Sequence, residues 1–137
     1  MPYIRNYRSE DYDQVKALYL QGDLYGGQFD EARDSYEKLD IATKIDPQCI
    51  LVYERDDKIL GTISLIETGR VAWLYRFAAK DQAVIEALYK SACAILKMRS
   101  HSQVLVYTPA GNTTLKQRYA DLGMEQGYDY TCYWHDL

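Results

Sequence analysis

The sequence predicts an α/β (α+β) fold: a single domain with a mixed central β-sheet of about six to seven strands, flanked by about four helices. Three observations predict it. The hydrophobic periodicity runs strand, two helices, three strands, helix, strand, helix, strand. The unit formed by strand 71–78, helix 81–98 and strand 102–108 is a right-handed crossover between parallel strands, whereas short polar turns make the three preceding strands antiparallel. The 137 residues are 47% hydrophobic and 26% charged, which suits one core, and no linker, repeat or low-complexity segment divides residues 1–137.

Each element has a local reason. YIRNY at 3–7 is a run of β-formers. Ser9 is placed to cap a helix whose first turn holds Glu10 and Asp11 and whose apolar stripe is Tyr12, Val15, Leu18 and Tyr19. GDLYGGQFD at 22–30 is a loop. A second helix is expected over 31–45, stopped by Pro47. Strands 49–55 and 58–65 flank Asp56-Asp57 as a hairpin. In strand 71–78, strict alternation puts Val71, Trp73, Tyr75 and Phe77 on one face and Ala72, Leu74, Arg76 and Ala78 on the other. Helix 81–98 carries the stripe Val84, Ile85, Leu88, Tyr89, Ala92, Ile95 and Leu96. Strand 102–108, helix 113–122 ending at Gly123, and alternating YDYTCYW at 128–134 complete the chain.

Composition excludes several functions. Cys49, Cys93 and Cys132 form no C-x-x-C pair, and His101 and His135 sit in no ligand spacing, so reduced, mostly buried thiols and no metal are expected. No apolar run approaches the ~18–20 residues of a membrane span. MPYIRNYRSED has neither a basic n-region nor an apolar h-region, so a cytoplasmic location and no membrane partner are expected. The net charge of −4 disfavours nucleic acid. Residues 1–69 carry 8 basic and 14 acidic side chains, but 70–118 carry 8 basic and 2 acidic. That asymmetry suits either solvated faces or an anionic ligand in the second half and a cationic one in the first. Most of the 14 tyrosines are expected to pack at the core edge.

Three stretches carry a resemblance. They are the opening YIRNYRSEDYDQVKALY, the hairpin ILVYERDDKILGTISL, and GNTTLKQRYADLGM at 111–124. In the last, Asn112 is followed by Tyr119 and then by Leu122-Gly123, with Met124 where an aromatic is usual. Together with the element order, these stretches make the whole chain resemble the GNAT superfamily of acyl-CoA-dependent N-acyltransferases. The resemblance implies a cytoplasmic transferase that moves an acetyl group from acetyl-CoA, its cosubstrate, to an amine that attacks directly in a ternary complex. It implies that strands 71–78 and 102–108 splay, with the pantetheine arm between them paired to backbone at Phe77, Ala78 and Ala79. Asn112 would hydrogen-bond the arm, and Tyr119 would protonate the departing thiolate. A phenol of pKa ~10 keeps that proton at neutral pH. From the residues alone, Asn112 also reads as an N-cap for Thr114 or Leu115, and Tyr119 as a packing tyrosine.

The family's Q/R-x-x-G-x-G/A loop, which cradles pyrophosphate, is replaced here by AKDQAVIE. Without glycine an anion nest is disfavoured, and the Asp81 carboxylate, as N-cap, is expected to occupy the helix amides itself. Lys80, Arg76 and Gln82 would compensate in part, and Arg118 reads as solvated. Strand 71–78 has no glutamate base, so Tyr75 or a water chain would take the amine proton, with Glu54 and Glu67 as candidates if the fold brings them near. The acceptor would be a small amine, a cationic one suiting the acidic first half, reached past LYGGQF at 24–29. The last strand would allow a homodimer edge. The alternatives are a catalytically inactive GNAT-fold binding or regulatory module and an unrelated α+β domain.

Overall fold

A computed structural model describes residues 2–137. Its elements are β1 (Tyr3–Asn6), α1 (Tyr12–Tyr19), α2 (Tyr36–Ile45), β2 (Ile50–Arg55), β3 (Lys58–Glu67), β4 (Ala72–Ala79), α3 (Gln82–Met98), β5 (Val104–Leu105) and α4 (Thr113–Asp121). The strands form one sheet in the order β1-β2-β3-β4-β5, antiparallel up to β4 and parallel between β4 and β5. Asp56 and Asp57 take φ of 53° and 63°. Two consecutive left-handed residues make the tight hairpin whose twist matches its strands, and the short polar side chain of aspartate tolerates that conformation.

Helices cover both faces. Val15, Leu18 and Tyr19 of α1 and Leu39 of α2 bury one face against Ile50, Val52 and Ala78. Val84, Ile85, Leu88, Ala92 and Leu96 of α3, with Leu115 and Tyr119 of α4, bury the other against Leu51, Ile63, Leu74, Phe77 and Ala79. α3 approaches closely at Gly61, where an added Cβ would stand 2.7 Å from Val84 Cγ1 and 2.9 Å from Ala79 Cβ. No helix among the described residues is long and apolar enough to cross a membrane.

Several expectations are corrected. Among the described residues the sheet has five strands, not six to seven. Residues 128–134 are exposed on both sides of their alternation, with Tyr128, Tyr130, Tyr133 and Trp134 all 75% exposed or more. The period of two is present, but no neighbouring edge supplies the ladder that would make it a strand. Ser9 does not cap α1; its hydroxyl donates to Asp40 (2.7 Å), and a 3-10 turn over Ser9–Asp11 precedes the helix. α2 starts at Tyr36 because the Asp30 carboxylate turns the chain through the N–H groups of Ala32 and Arg33, after which Ser35 caps Lys38 N–H. Cys49 and Cys93 are half-buried and Cys132 is exposed, so the thiols are less enclosed than expected.

A candidate active site between β4 and β5

β4 and β5 pair through only two rungs, Ala72 with Val104 and Trp73 with Leu105. Beyond Trp73 they separate, and among the described residues no strand lies beside the β5-facing edge of β4 from 74 to 79. α3 leaves the end of one arm of this V, and α4 follows the end of the other. The V is therefore bounded by β4, the first turn of α3, residues 106–112 and α4.

β4 is also irregular where it opens. Its register on β3 runs Ser64 to Tyr75 and then Thr62 to Ala78, so two residues, Arg76 and Phe77, lie opposite Ile63. Arg76 has a φ of +47°. This β-bulge overturns the expected alternation. Phe77 joins Ala72, Leu74 and Ala79 on the α3 face, while Ala78 joins the α1 face.

Arg76 is not the free cation expected near the phosphates. Its side chain is 9% exposed and bonds Asp34, itself 6% exposed, through Nη2 (2.6 Å) and Nε (3.1 Å). Nη1 donates to the Gln28 carbonyl (2.9 Å), and the guanidinium lies over Tyr19, Tyr25 and Tyr75 at 5.6, 5.1 and 5.1 Å. The loop between α1 and α2 is thus fastened to β4. It is fastened to the other arm as well. Arg118 of α4 donates to the Leu24 carbonyl, and Gly26 (φ 71°) sits where a Cβ would come within 2.5 Å of Pro109. Arg118 is accordingly not solvated, and its burial lowers its pKa.

On α4, Asn112 is the N-cap: its Oδ1 accepts the Leu115 N–H (3.0 Å). Its local role is therefore realised, and Asn112→Ala should lose about 1 kcal/mol in urea unfolding. The helix closes on Gly123 (φ 85°) with Gly123 N–H to the Ala120 carbonyl and Met124 N–H to the Tyr119 carbonyl, a Schellman pair. Tyr119 is fixed between these two ends. The residue is buried, 7% exposed, on the side of the sheet that α3 covers. Burial pushes its pKa up, with Arg118 pulling the other way, so the phenol holds its proton.

At the start of α3, Asp81 has the extended backbone of an N-cap, but its side chain caps nothing. This corrects the expectation that its carboxylate would consume the helix amides. The Asp81 carbonyl takes the N–H of Val84 and Ile85, which leaves those of Gln82 and Ala83 free. Lys80 and Asp81 are exposed, while Nε2 of Gln82 and Oγ1 of Thr108 are buried without partners. Two polar groups, one from each arm, therefore await hydrogen bonds.

The nominated bases fare differently. Glu54 accepts from Tyr3 (2.7 Å) and Arg5 (2.6 Å), bonds that hold its carboxylate below the ordinary range and make it a poor base. Glu67 sits opposite Ala72, roughly 20 Å along β4 from Ala79, bonded to Arg99 and His101. Tyr75 stays at the bulge, half-exposed. Sequence reasoning missed Asp34 and Thr108. Asp34 stands in the charged run DEARDSYEK and Thr108 at a strand end, and neither gave a signal.

No family model and no curated protein matches the sequence. Solved structures do. The PaiA N-acetyltransferase of Thermoplasma acidophilum, in complex with coenzyme A, superposes with a TM-score of 0.72 at 20% identity, covering 88% of this chain and 87% of that one. An aminoglycoside antibiotic 6'-N-acetyltransferase from Acinetobacter baumannii gives 0.73 at 12% identity over 100% and 99%. A longer acetyltransferase chain from Pyrococcus horikoshii is matched over 42% of its own length and 85% of this one, at 0.59 and 14% identity. Five strands splayed between β4 and β5, with two helices on each face, give this chain the fold of the GNAT N-acetyltransferases.

Proposed function

We propose that the protein is an N-acetyltransferase that moves an acetyl group from acetyl-CoA to an amine by direct attack within the V. The observation that carries this reading is an unpaired β4 edge on one arm and a buried, protonated phenol, Tyr119, on the helix that bounds the other. Acetyl-CoA supplies the reactive thioester. The chain's own groups suit it. The peptide groups of Phe77, Ala78 and Ala79 lie on the edge that would pair with an amide-bearing pantetheine arm. Gln82 Nε2 and Thr108 Oγ1 supply unmet hydrogen bonds, and Lys80 with the free amides of Gln82 and Ala83 supplies the positive end of α3 for phosphate. Asn112 supports the arm's turn into α4. Tyr119 holds the proton that a departing thiolate takes up, and Tyr75 is the group at the bulge best placed to relay the amine's proton.

Thermal denaturation with acetyl-CoA and with CoA tests the reading. At a ligand concentration 100 times Kd, stabilisation is about 2.7 kcal/mol, a rise in Tm of several degrees. An unmoved Tm at millimolar ligand would exclude the enzyme. The glycine-free junction Lys80-Asp81-Gln82 favours a second reading, a binding module of the same fold. That reading expects no consumption of acetyl-CoA over a panel of primary amines, with or without a Tm shift.

A further inference from the structure

A left-handed residue in a bulge of this kind is usually glycine, yet the β4 bulge puts an arginine there. The bulge takes backbone groups out of the ladder with β3, and past Trp73 no strand covers the opposite edge. The peptide groups at Arg76 and Phe77 therefore lie where the ladder with β3 is irregular and the other edge is open, and the backbone angle at residue 76 sets their direction.

That angle is held from outside the strand. Nε and Nη2 of Arg76 grip the Asp34 carboxylate, Nη1 grips the Gln28 carbonyl, and three tyrosine rings enclose the guanidinium. A planar fork bound at three nitrogens and stacked on rings has almost no freedom to rotate. The loop that grips it is pinned in turn to the opposite arm by Arg118 and Gly26. The clamp therefore references the bulge to the α4 side of the V.

We infer that Arg76 is a positioning residue: clamped by Asp34, Gln28 and the tyrosines, it locks the β4 bulge so that N–H groups beside Phe77 stay aimed at a thioester carbonyl in the V. The inference rests on the proposed acetyl transfer and adds the residue that sets the geometry of its electrophile. Arg76 touches no reacting atom and exchanges no proton.

Two measurements on the full chain test it, neither requiring the acceptor. The first is the ratio of acetyl-CoA to CoA affinity by calorimetry. The second is the infrared band of acetyl-CoA isotope-labelled at the thioester carbonyl, which donors shift to lower frequency. Arg76→Lys keeps the charge but loses the fork; Arg76→Gly keeps the left-handed backbone without strain but loses the clamp. Both are expected to bind CoA within about twofold of the native protein while the affinity ratio falls about tenfold, since oriented donors act on the carbonyl alone. The band should return to its solution position in both variants. Arg76→Lys, which keeps a cation beside Asp34, carries the test should Arg76→Gly not fold. Normal CoA binding with an unmoved band in the variants overturns the role of Arg76 alone. A native protein that binds neither acetyl-CoA nor CoA overturns the acetyltransferase reading, and this inference with it.

Discussion

Tyr119→Phe is expected to lower acetyl transfer by about 10²–10⁴-fold while leaving CoA affinity within about twofold. The ring would keep its place in the α3-side core with Leu115, because only the hydroxyl oxygen is removed. Stability should therefore change by less than about 0.5 kcal/mol, far below the cost of an emptied aromatic site. What is lost is a proton at the end of the V. Without it, thiolate must leave as an anion into a low-dielectric cleft, which raises the barrier. Burial raises the phenol's pKa above its ordinary value, so the acid stays protonated through neutral pH and the native rate should not fall there through loss of this proton. Steady-state rates of native protein and variant across pH 6–10 (about four decades of proton activity) check this. Equal rates would leave Tyr119 a packing residue.

The second large effect is on stability. Removing either member of the Arg76–Asp34 pair should cost about 3–5 kcal/mol, because the remaining charge stays buried without its counter-charge. The contrast is internal to the molecule. Lys44–Asp40 joins side chains 78% and 27% exposed, and its loss should cost no more than about 1 kcal/mol. Arg76→Gly should be less damaging than Arg76→Ala, since glycine relieves a left-handed strain of about 1–2 kcal/mol. Urea midpoints of the three variants rank them. A loss at Arg76→Ala no larger than at Lys44→Ala would show that the pair is solvated.

What was legible in the sequence follows from range. The Asp56-Asp57 hairpin, the α3 stripe, the Asn112 cap and the Gly123 close are each decided within a few residues, and they appear as read. The splay was legible only through family resemblance, because two strands that part leave no periodic trace. The bulge was not legible at all. Its usual marker is glycine, and here the conformation is imposed by Asp34, 42 residues away. The same pairing explains why a charge count misled. Arg76, Arg99 and Arg118 are spent on Asp34, on Asp46 and Glu67, and on a carbonyl, so much of the basic stretch never reaches a ligand. The final strand failed for the complementary reason: alternation specifies a face but does not supply an edge.

Trp73 occupies the last rung before β4 and β5 part, its indole 4.4 Å from the ring of Tyr107 on the other arm. The second tryptophan, Trp134, is 83% exposed. The protein thus carries an optical gauge at the hinge of its cleft. Fluorescence that survives an aqueous quencher such as iodide belongs to Trp73, and its emission maximum reports, without any label, on the polarity where β4 and β5 part.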